Sequence, residues 1–203
     1  LPVVLTVFLA LGAWRISKAR VLARRLDAIE TLGSTTVLAS DKTGTLTENR
    51  MVIRRIYAAG ATYDLASDDV VLPESFHALI EYGILASERD PFDPMEQALQ
   101  RLGQRALAGT EHLHGDTLVA LHTYALSSEL LAMTRVWRGA ALPDVHGAPL
   151  EMFAAAKGAP EAIADLCHLD AAARSEVERV AADFAGEGLR VLGVARGRLD
   201  RIP

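Results

Sequence analysis

An aspartate, a lysine and a glycine stand together in "LASDKTGTLTENRM", residues 38–51, among three threonines. These residue types suit one chemistry. The carboxylate of Asp41 can attack phosphorus without the general base that a serine or threonine needs, giving an aspartyl phosphate. Negative charge developing on the transferred group needs donors and a cation around it. Lys42, the hydroxyls of Thr43 and Thr45, and backbone N–H groups left accessible by Gly44 are donors of the right kind. A Walker-type phosphate loop is a different arrangement, with lysine after the glycines; no such run is present, and Lys42 precedes Gly44. The competing reading is a polar turn in which Asp41 caps the element that follows.

The elements that must position Asp41 lie on both sides of it. "TTVLAS", residues 35–40, predicts a short buried strand, with Asp41 at its carboxyl end, the usual ligand-binding edge of an open α/β sheet. Upstream, "RISKARVLARRLDAIETL" predicts a helix running to Gly33. The chain begins with "LPVVLTVFLALGAW", which is almost wholly apolar. As a helix this run would measure about 21 Å, against roughly 30 Å for the hydrocarbon core of a bilayer. Arg15, Lys18, Arg20, Arg24 and Arg25 follow it, as at the cytoplasmic end of a membrane helix. A buried helix of a soluble protein is the alternative. A signal peptide is not indicated, because there is no basic start and no small-residue cleavage site. Both ends read as cuts within a longer sequence.

Downstream, "MVIRRIYAAGATYDL" predicts two strands around an Ala59–Gly60 turn, and residues 74–87 a helix. "DPMEQALQRLGQRAL" predicts a second helix, with Asp93 as cap, Pro94 in the first turn and Glu96 completing a capping box. Strand patterns follow in "TLVALHTYAL", "LAMTRVWRG" and "LEMFAAAKG". A short helix then opens at Gly158 or Ala159. "DAAARSEVERVAADFAGEG" is amphipathic, with Val177, Val180, Ala181 and Phe184 on one face and Gly186 or Gly188 ending it; "LRVLGVARGRL" closes as a strand. Among 203 residues, 50% hydrophobic composition supports a real core, and a net charge of −5 argues against nucleic acid as a partner. The lone Cys167 excludes an internal disulfide and a cysteine-based zinc site. His112 and His114 in "EHLHGD" lack a third ligand of suitable spacing and read as a solvated loop.

The whole of "SDKTGTLTENRM" resembles the signature of the P-type ATPases, in particular their calcium-pump-like branch. The resemblance implies an α/β fold. Residues 1–33 would be the end of the fourth membrane helix and its stalk, and residues 34–50 the start of a haloacid-dehalogenase-like phosphorylation domain. Residues 51–203 would be an inserted α+β nucleotide-binding domain with an antiparallel sheet, short of its final strand. It also implies that ATP phosphorylates Asp41, with Lys42 and Thr43 beside it, and that the Asp41 carboxylate and the Thr43 backbone carbonyl help hold Mg²⁺. Related phosphatases carry an acid two positions after the nucleophile. Thr43 stands there instead, so no local acid or base speeds hydrolysis of the acyl phosphate.

Further matches lie in the same order as in the family. "DPMEQAL" resembles the element that places a glutamate, here Glu96, near the adenine. "KGAPE" resembles the one that lines the base pocket with Lys157 and lets Gly158 approach closely. "GLRVL" resembles the one that sends Arg190 to the phosphates. Each has a plainer reading: Glu96 as a helix cap, Lys157 as a surface lysine, Arg190 as a solvated charge. In "YALSSELLAMTRVW" Met133 matches, whereas Leu126 replaces the stacking aromatic and Leu131 the lysine, predicting an apolar slot and weakened ATP binding. The resemblance implies a cation transporter, an integral membrane protein cytoplasmic from about residue 15 onward, with calcium or manganese as leading cargo. A non-catalytic ATP-binding or regulatory module derived from a pump, and a soluble aspartate-nucleophile phosphatase, are the alternatives.

Overall fold

The computed structural model describes residues 2–21, 31, 33–65, 71–113, 118–139 and 152–202. The chain divides into two compact units, Leu1–Glu48 and Asn49–Pro203.

In the first unit, α1 spans Pro2–Lys18 and carries Arg15 and Lys18 in its last turn. Its apolar residues are exposed on every face, Val3, Phe8 and Trp14 among them. A helix apolar all round is one that water does not suit. At 17 residues it measures about 25 Å, and no helix among the described residues is long and apolar enough to cross a membrane. The helix does not continue through residues 19–21, contrary to the sequence pattern. Arg20 turns left-handed at φ 62°, its N–H bonds Ser17 O at 2.9 Å and the Val21 N–H reaches Ile16 O at 3.4 Å. This is a Schellman stop, made here with arginine where glycine is usual. Most of the predicted stalk, residues 22–30 and 32, lies outside the described residues.

The second unit holds two antiparallel sheets among its described residues. Strands β1 (Arg55–Ala58) and β2 (Ala61–Asp64) form a hairpin. Ala59 and Gly60, at φ 51° and 77°, make the two-residue turn whose twist matches the strands. A 3₁₀ turn, Glu74–Phe76, leads into α2, His77–Leu85. Helix α3, Pro94–Ala106, starts where Asp93 Oδ1 accepts the N–H groups of Met95 at 2.8 Å and Glu96 at 3.2 Å. Ile56, Leu72, Phe76, Ile80, Leu102 and Leu107 pack the hairpin against these helices.

The larger sheet is β3 (Val119–Tyr124), β4 (Ala132–Arg138), β5 (Met152–Gly158) and β6 (Gly193–Arg198), antiparallel in that spatial order. Alternation along β5 sorts its two faces. Phe153 and Ala155 meet Tyr82, Leu85 and Trp137 on the α2 side, with the Trp137 indole N–H donating to Leu85 O at 2.9 Å. Ala156, with Ala132, packs on the other side against Ala162 and Ile163 of α4, Pro160–Leu166. Helix α5, Ala171–Gly186, is capped by Asp170. Of its predicted apolar face, Val180 is buried, while Val177, Ala181 and Phe184 are half-buried. All four line a cavity of about 690 Å³ that also meets Arg50–Tyr57, Leu99 and Ile163. That face therefore meets open space instead of a filled core.

Candidate active site and nucleotide site

Asp41 lies in an exposed stretch. Its Oδ1 accepts the Lys42 N–H at 2.7 Å. The Lys42 carbonyl closes the following turn by accepting from Leu46 at 3.0 Å and Thr47 at 3.1 Å. Gly44, at φ 77°, supplies the left-handed step that this turn requires, and its N–H reaches Thr47 Oγ1 at 3.4 Å. Lys42 and Thr43 are exposed beside it. The strand expected at residues 35–40 is not formed, and Val37 and Leu38 are 82% and 80% exposed. The physical reason is pairing. A strand's N–H and C=O groups need a neighbouring strand, and none is assigned among the described residues of this unit.

Three of the nucleotide-site candidates, Met133, Lys157 and Gly158, lie at one end of the larger sheet. Met133 pairs with Lys157, which pairs with Val194; Ala132 pairs with Gly158, which pairs with Gly193. Directly paired residues share a face, so Met133 and Lys157 point the same way. Leu126, 61% exposed, lies two residues beyond the Tyr124–Thr134 pair in the β3–β4 connection. Arg190 is exposed three residues before β6. Arg190 also lines the 690 Å³ cavity, whose walls include neither Glu96 nor Lys157.

Lys157 is not a surface lysine. It is 8% exposed and Glu96 is 7% exposed, and the ammonium contacts Glu96 Oε1 directly. A second donor goes to Ser87 Oγ at 2.7 Å, and Ser87 in turn donates to Gly83 O at 2.8 Å. Glu96 Oε2 accepts the Glu88 N–H at 3.1 Å. Burial holds the lysine pKa below its ordinary value, with Glu96 opposing that shift. Glu96 therefore departs from the expected capping box. Its carboxylate turns from the helix start to the buried ammonium, a stronger partner than a backbone N–H because the pair is charged. Gly158 has a structural reason as well. A Cβ there would lie 2.2 Å from Leu131 O and 2.6 Å from Ala132 Cα, so only glycine fits beside β4.

No protein-family model matches the chain. It is 34% identical to the probable cation-transporting ATPase F of Mycobacterium tuberculosis (strain ATCC 25618 / H37Rv) over 97% of this chain and 24% of that protein. It is 31% identical to a putative cation-transporting ATPase of Methanocaldococcus jannaschii over 96% of this chain and 21% of that protein. Against calcium-transporting ATPase 1 of Schizosaccharomyces pombe the identity is 51%, over 38% of this chain and 8% of that protein. The chain belongs to the P-type ATPases. It spans a quarter or less of the length of these relatives.

The second unit of this P-type ATPase chain has a mixed α/β make-up, with antiparallel sheets, that fits a nucleotide-binding domain. Two of its polar residues escaped sequence reasoning. Ser87 anchors Lys157, and Arg135 donates to the Ser87 carbonyl at 2.5 Å from the middle of β4. A lone serine after a helix carries no signal. Arg135 sits in the quoted "LAMTRVW" run, where its strand position could have marked it as half-buried.

Proposed function

We propose that this chain is the part of an ATP-driven cation pump that accepts a phosphoryl group at Asp41 and binds the ATP that donates it. The observation that carries this reading is similarity over 97% of the chain to relatives named as cation-transporting ATPases, with "DKTGTLT" unbroken at residues 41–47. Residues 1–33 are the end of a membrane helix and its stalk. Residues 34–50 begin a haloacid-dehalogenase-like phosphorylation domain whose remaining strands come from elsewhere in the pump. Residues 51–203 are the nucleotide-binding domain. The apolar exposure of α1 and the basic residues of its last turn support the membrane placement, with the chain cytoplasmic from about residue 15.

In the reaction, an Asp41 oxygen bonds the γ-phosphorus of ATP as the bond from that phosphorus to the β–γ bridging oxygen breaks, and ADP leaves with the electron pair. Lys42 offsets charge on the transferred group. Thr43 leaves the acyl phosphate without a neighbouring acid or base, so it persists long enough to drive a conformational cycle. The exposed Asp41 carboxylate and the Thr43 carbonyl are hard oxygen donors of the sort Mg²⁺ prefers. That ion would supply electrostatic stabilisation of the phosphoryl oxygens. Glu96 and Lys157 form the floor of the adenine site, Gly158 lets the backbone lie close, Leu126 and Met133 form an apolar slot, and Arg190 reaches the phosphates. Calcium or manganese is the cargo we favour, calcium because relatives named as calcium-transporting ATPases are among the matches and manganese from the resemblance to the calcium-pump-like branch alone.

Titration of the 203-residue chain with Mg-ATP tests the nucleotide part. Leu126→Ala is expected to weaken binding about three- to tenfold, on the order of 1 kcal/mol, through lost apolar contact. Unchanged affinity would count against the slot. Absence of ATP binding by the folded chain would count against the site.

A further inference from the structure

A second polar cluster stands where α2 begins, separate from the residues assigned to ATP. His77 is 7% exposed, and its Nε2–H donates to Leu72 O at 2.8 Å. That bond fixes the tautomer, leaving the lone pair on Nδ1, and Nδ1 is buried without a hydrogen-bond partner. The atom faces Glu74 Oε2 at 3.8 Å. His112 is built the same way. Its Nδ1 is paired with Glu81 Oε2 at 2.6 Å and its Nε2 with Glu74 Oε1 at 3.5 Å, so a metal ion at Nε2 would take the place of a proton. The two imidazole rings meet edge to face at 5.2 Å. Ligand atoms of Glu74, His77 and His112 all lie within 4.8 Å of one another.

An unpartnered buried imidazole nitrogen, a second imidazole nitrogen and a carboxylate gathered within 4.8 Å are a donor set that a divalent cation binds. We propose that Glu74, His77 and His112 bind a zinc-type divalent ion, with Glu81 and the Leu72 carbonyl as the outer partners that hold each imidazole in its ligating tautomer. The donor set, two imidazoles and one carboxylate, is a common three-ligand zinc set, with water completing a tetrahedron. Tetrahedral bonds of about 2.0–2.1 Å put ligand atoms about 3.3 Å apart, so atoms that lie within 4.8 Å of one another need to close by up to about 1.5 Å. Glu74 is the most exposed of the three, at 83% of its side chain, and is the ligand free to close on the ion. A histidine ligand whose other ring nitrogen donates to a carboxylate or carbonyl is the usual second layer of a metal site, and both histidines here have one. The "EHLHGD" loop is thus not merely solvated: His112 is half-buried against Glu81, while His114 lies outside the described residues.

The test is a titration of the untagged 203-residue chain with Zn²⁺ and with Co²⁺, followed by thermal denaturation with and without metal. The expected result is micromolar Zn²⁺ binding, visible Co²⁺ absorption of tetrahedral intensity that Zn²⁺ quenches, and a melting temperature raised by Zn²⁺. Glu81→Gln should weaken binding about 10- to 100-fold as an outer-partner substitution. Glu74→Ala, an exposed change that spares the core, should remove the Co²⁺ spectrum. No spectrum and no melting shift in the wild-type chain would overturn the site. So would binding of equal strength in wild type, Glu74→Ala and His112→Gln.

Discussion

Asp41→Asn is expected to abolish ATP-driven transport and ATP hydrolysis in the complete pump, by at least about a thousandfold, while leaving its affinity for ATP within about twofold. The amide is nearly isosteric with the carboxylate and fits the same exposed turn, where Oδ1 accepts the Lys42 N–H. It is neutral and a poor nucleophile, so the first covalent step stops. ATP binding is assigned to residues 51–203 and is spared. Asp41→Glu keeps the charge but moves the attacking oxygen by one methylene, and misplacement on the order of 1 Å costs about a hundredfold. Hydrolysis that survived Asp41→Asn would show that the acceptor is another residue. Unchanged hydrolysis together with lost ATP affinity would be the opposite of what the reading requires.

Lys157→Ala is expected to destabilise the second unit by about 3–5 kcal/mol, because it strands a buried carboxylate. Glu96 would keep its bond from the Glu88 N–H but lose its cation. Glu96→Leu alone should cost about as much, leaving the ammonium with Ser87 only. The pair Glu96→Leu/Lys157→Met should recover most of the loss, to within about 1–3 kcal/mol of wild type, the remainder reflecting the unpaired Glu88 N–H. Urea denaturation of the four proteins gives the coupling directly. The same proteins carry a pH signature. The folded-state lysine pKa is depressed by burial, so the unfolded chain binds more protons between that value and the ordinary lysine range. Stability therefore rises with pH through that window, and below it the full cost of burying the ammonium is present. The double variant should lose this rise. It should also fold yet fail to bind ATP, separating the pair's structural role from its binding role; equal ATP affinity in the folded double variant would remove Glu96 and Lys157 from the site.

Local signals in the sequence were reliable where one residue settles one geometry. Ala59–Gly60 forms the hairpin turn, Asp93 caps α3, Pro160 opens α4 behind Ala159, and of the two glycines offered as the stop of α5 it is the left-handed Gly188 that closes it. Failures came where a distant partner, or a backbone turn that residue type does not signal, decides. "TTVLAS" has the composition of a buried strand, but a strand exists only when its backbone is paired, and residues 35–40 are exposed. The helix expected to run on from Arg15 stops at Lys18, since a left-handed Arg20 carries no warning in its residue type. Glu96 had the spacing of a capping box, yet a buried ammonium on a strand 61 residues away outcompetes a backbone N–H. Helix α2's His77 and the loop residue His112 are 35 positions apart in sequence but meet edge to face, and the fold gathers them with Glu74 into a cluster that the spacing within "EHLHGD" does not show. At the other site, the pairing of Met133 with Lys157 and of Gly158 with Gly193 brings motifs widely separated in sequence to one sheet end.

The most direct test of the central claim is acid-stable labelling of the complete pump with γ-labelled ATP across a panel of cations, followed by peptide mapping. Label is expected on the peptide containing Asp41, released by hydroxylamine as an acyl phosphate, dependent on the transported ion and absent from Asp41→Asn. Label that resists hydroxylamine or maps elsewhere, or an active pump that never acquires label under any ion, would contradict that claim.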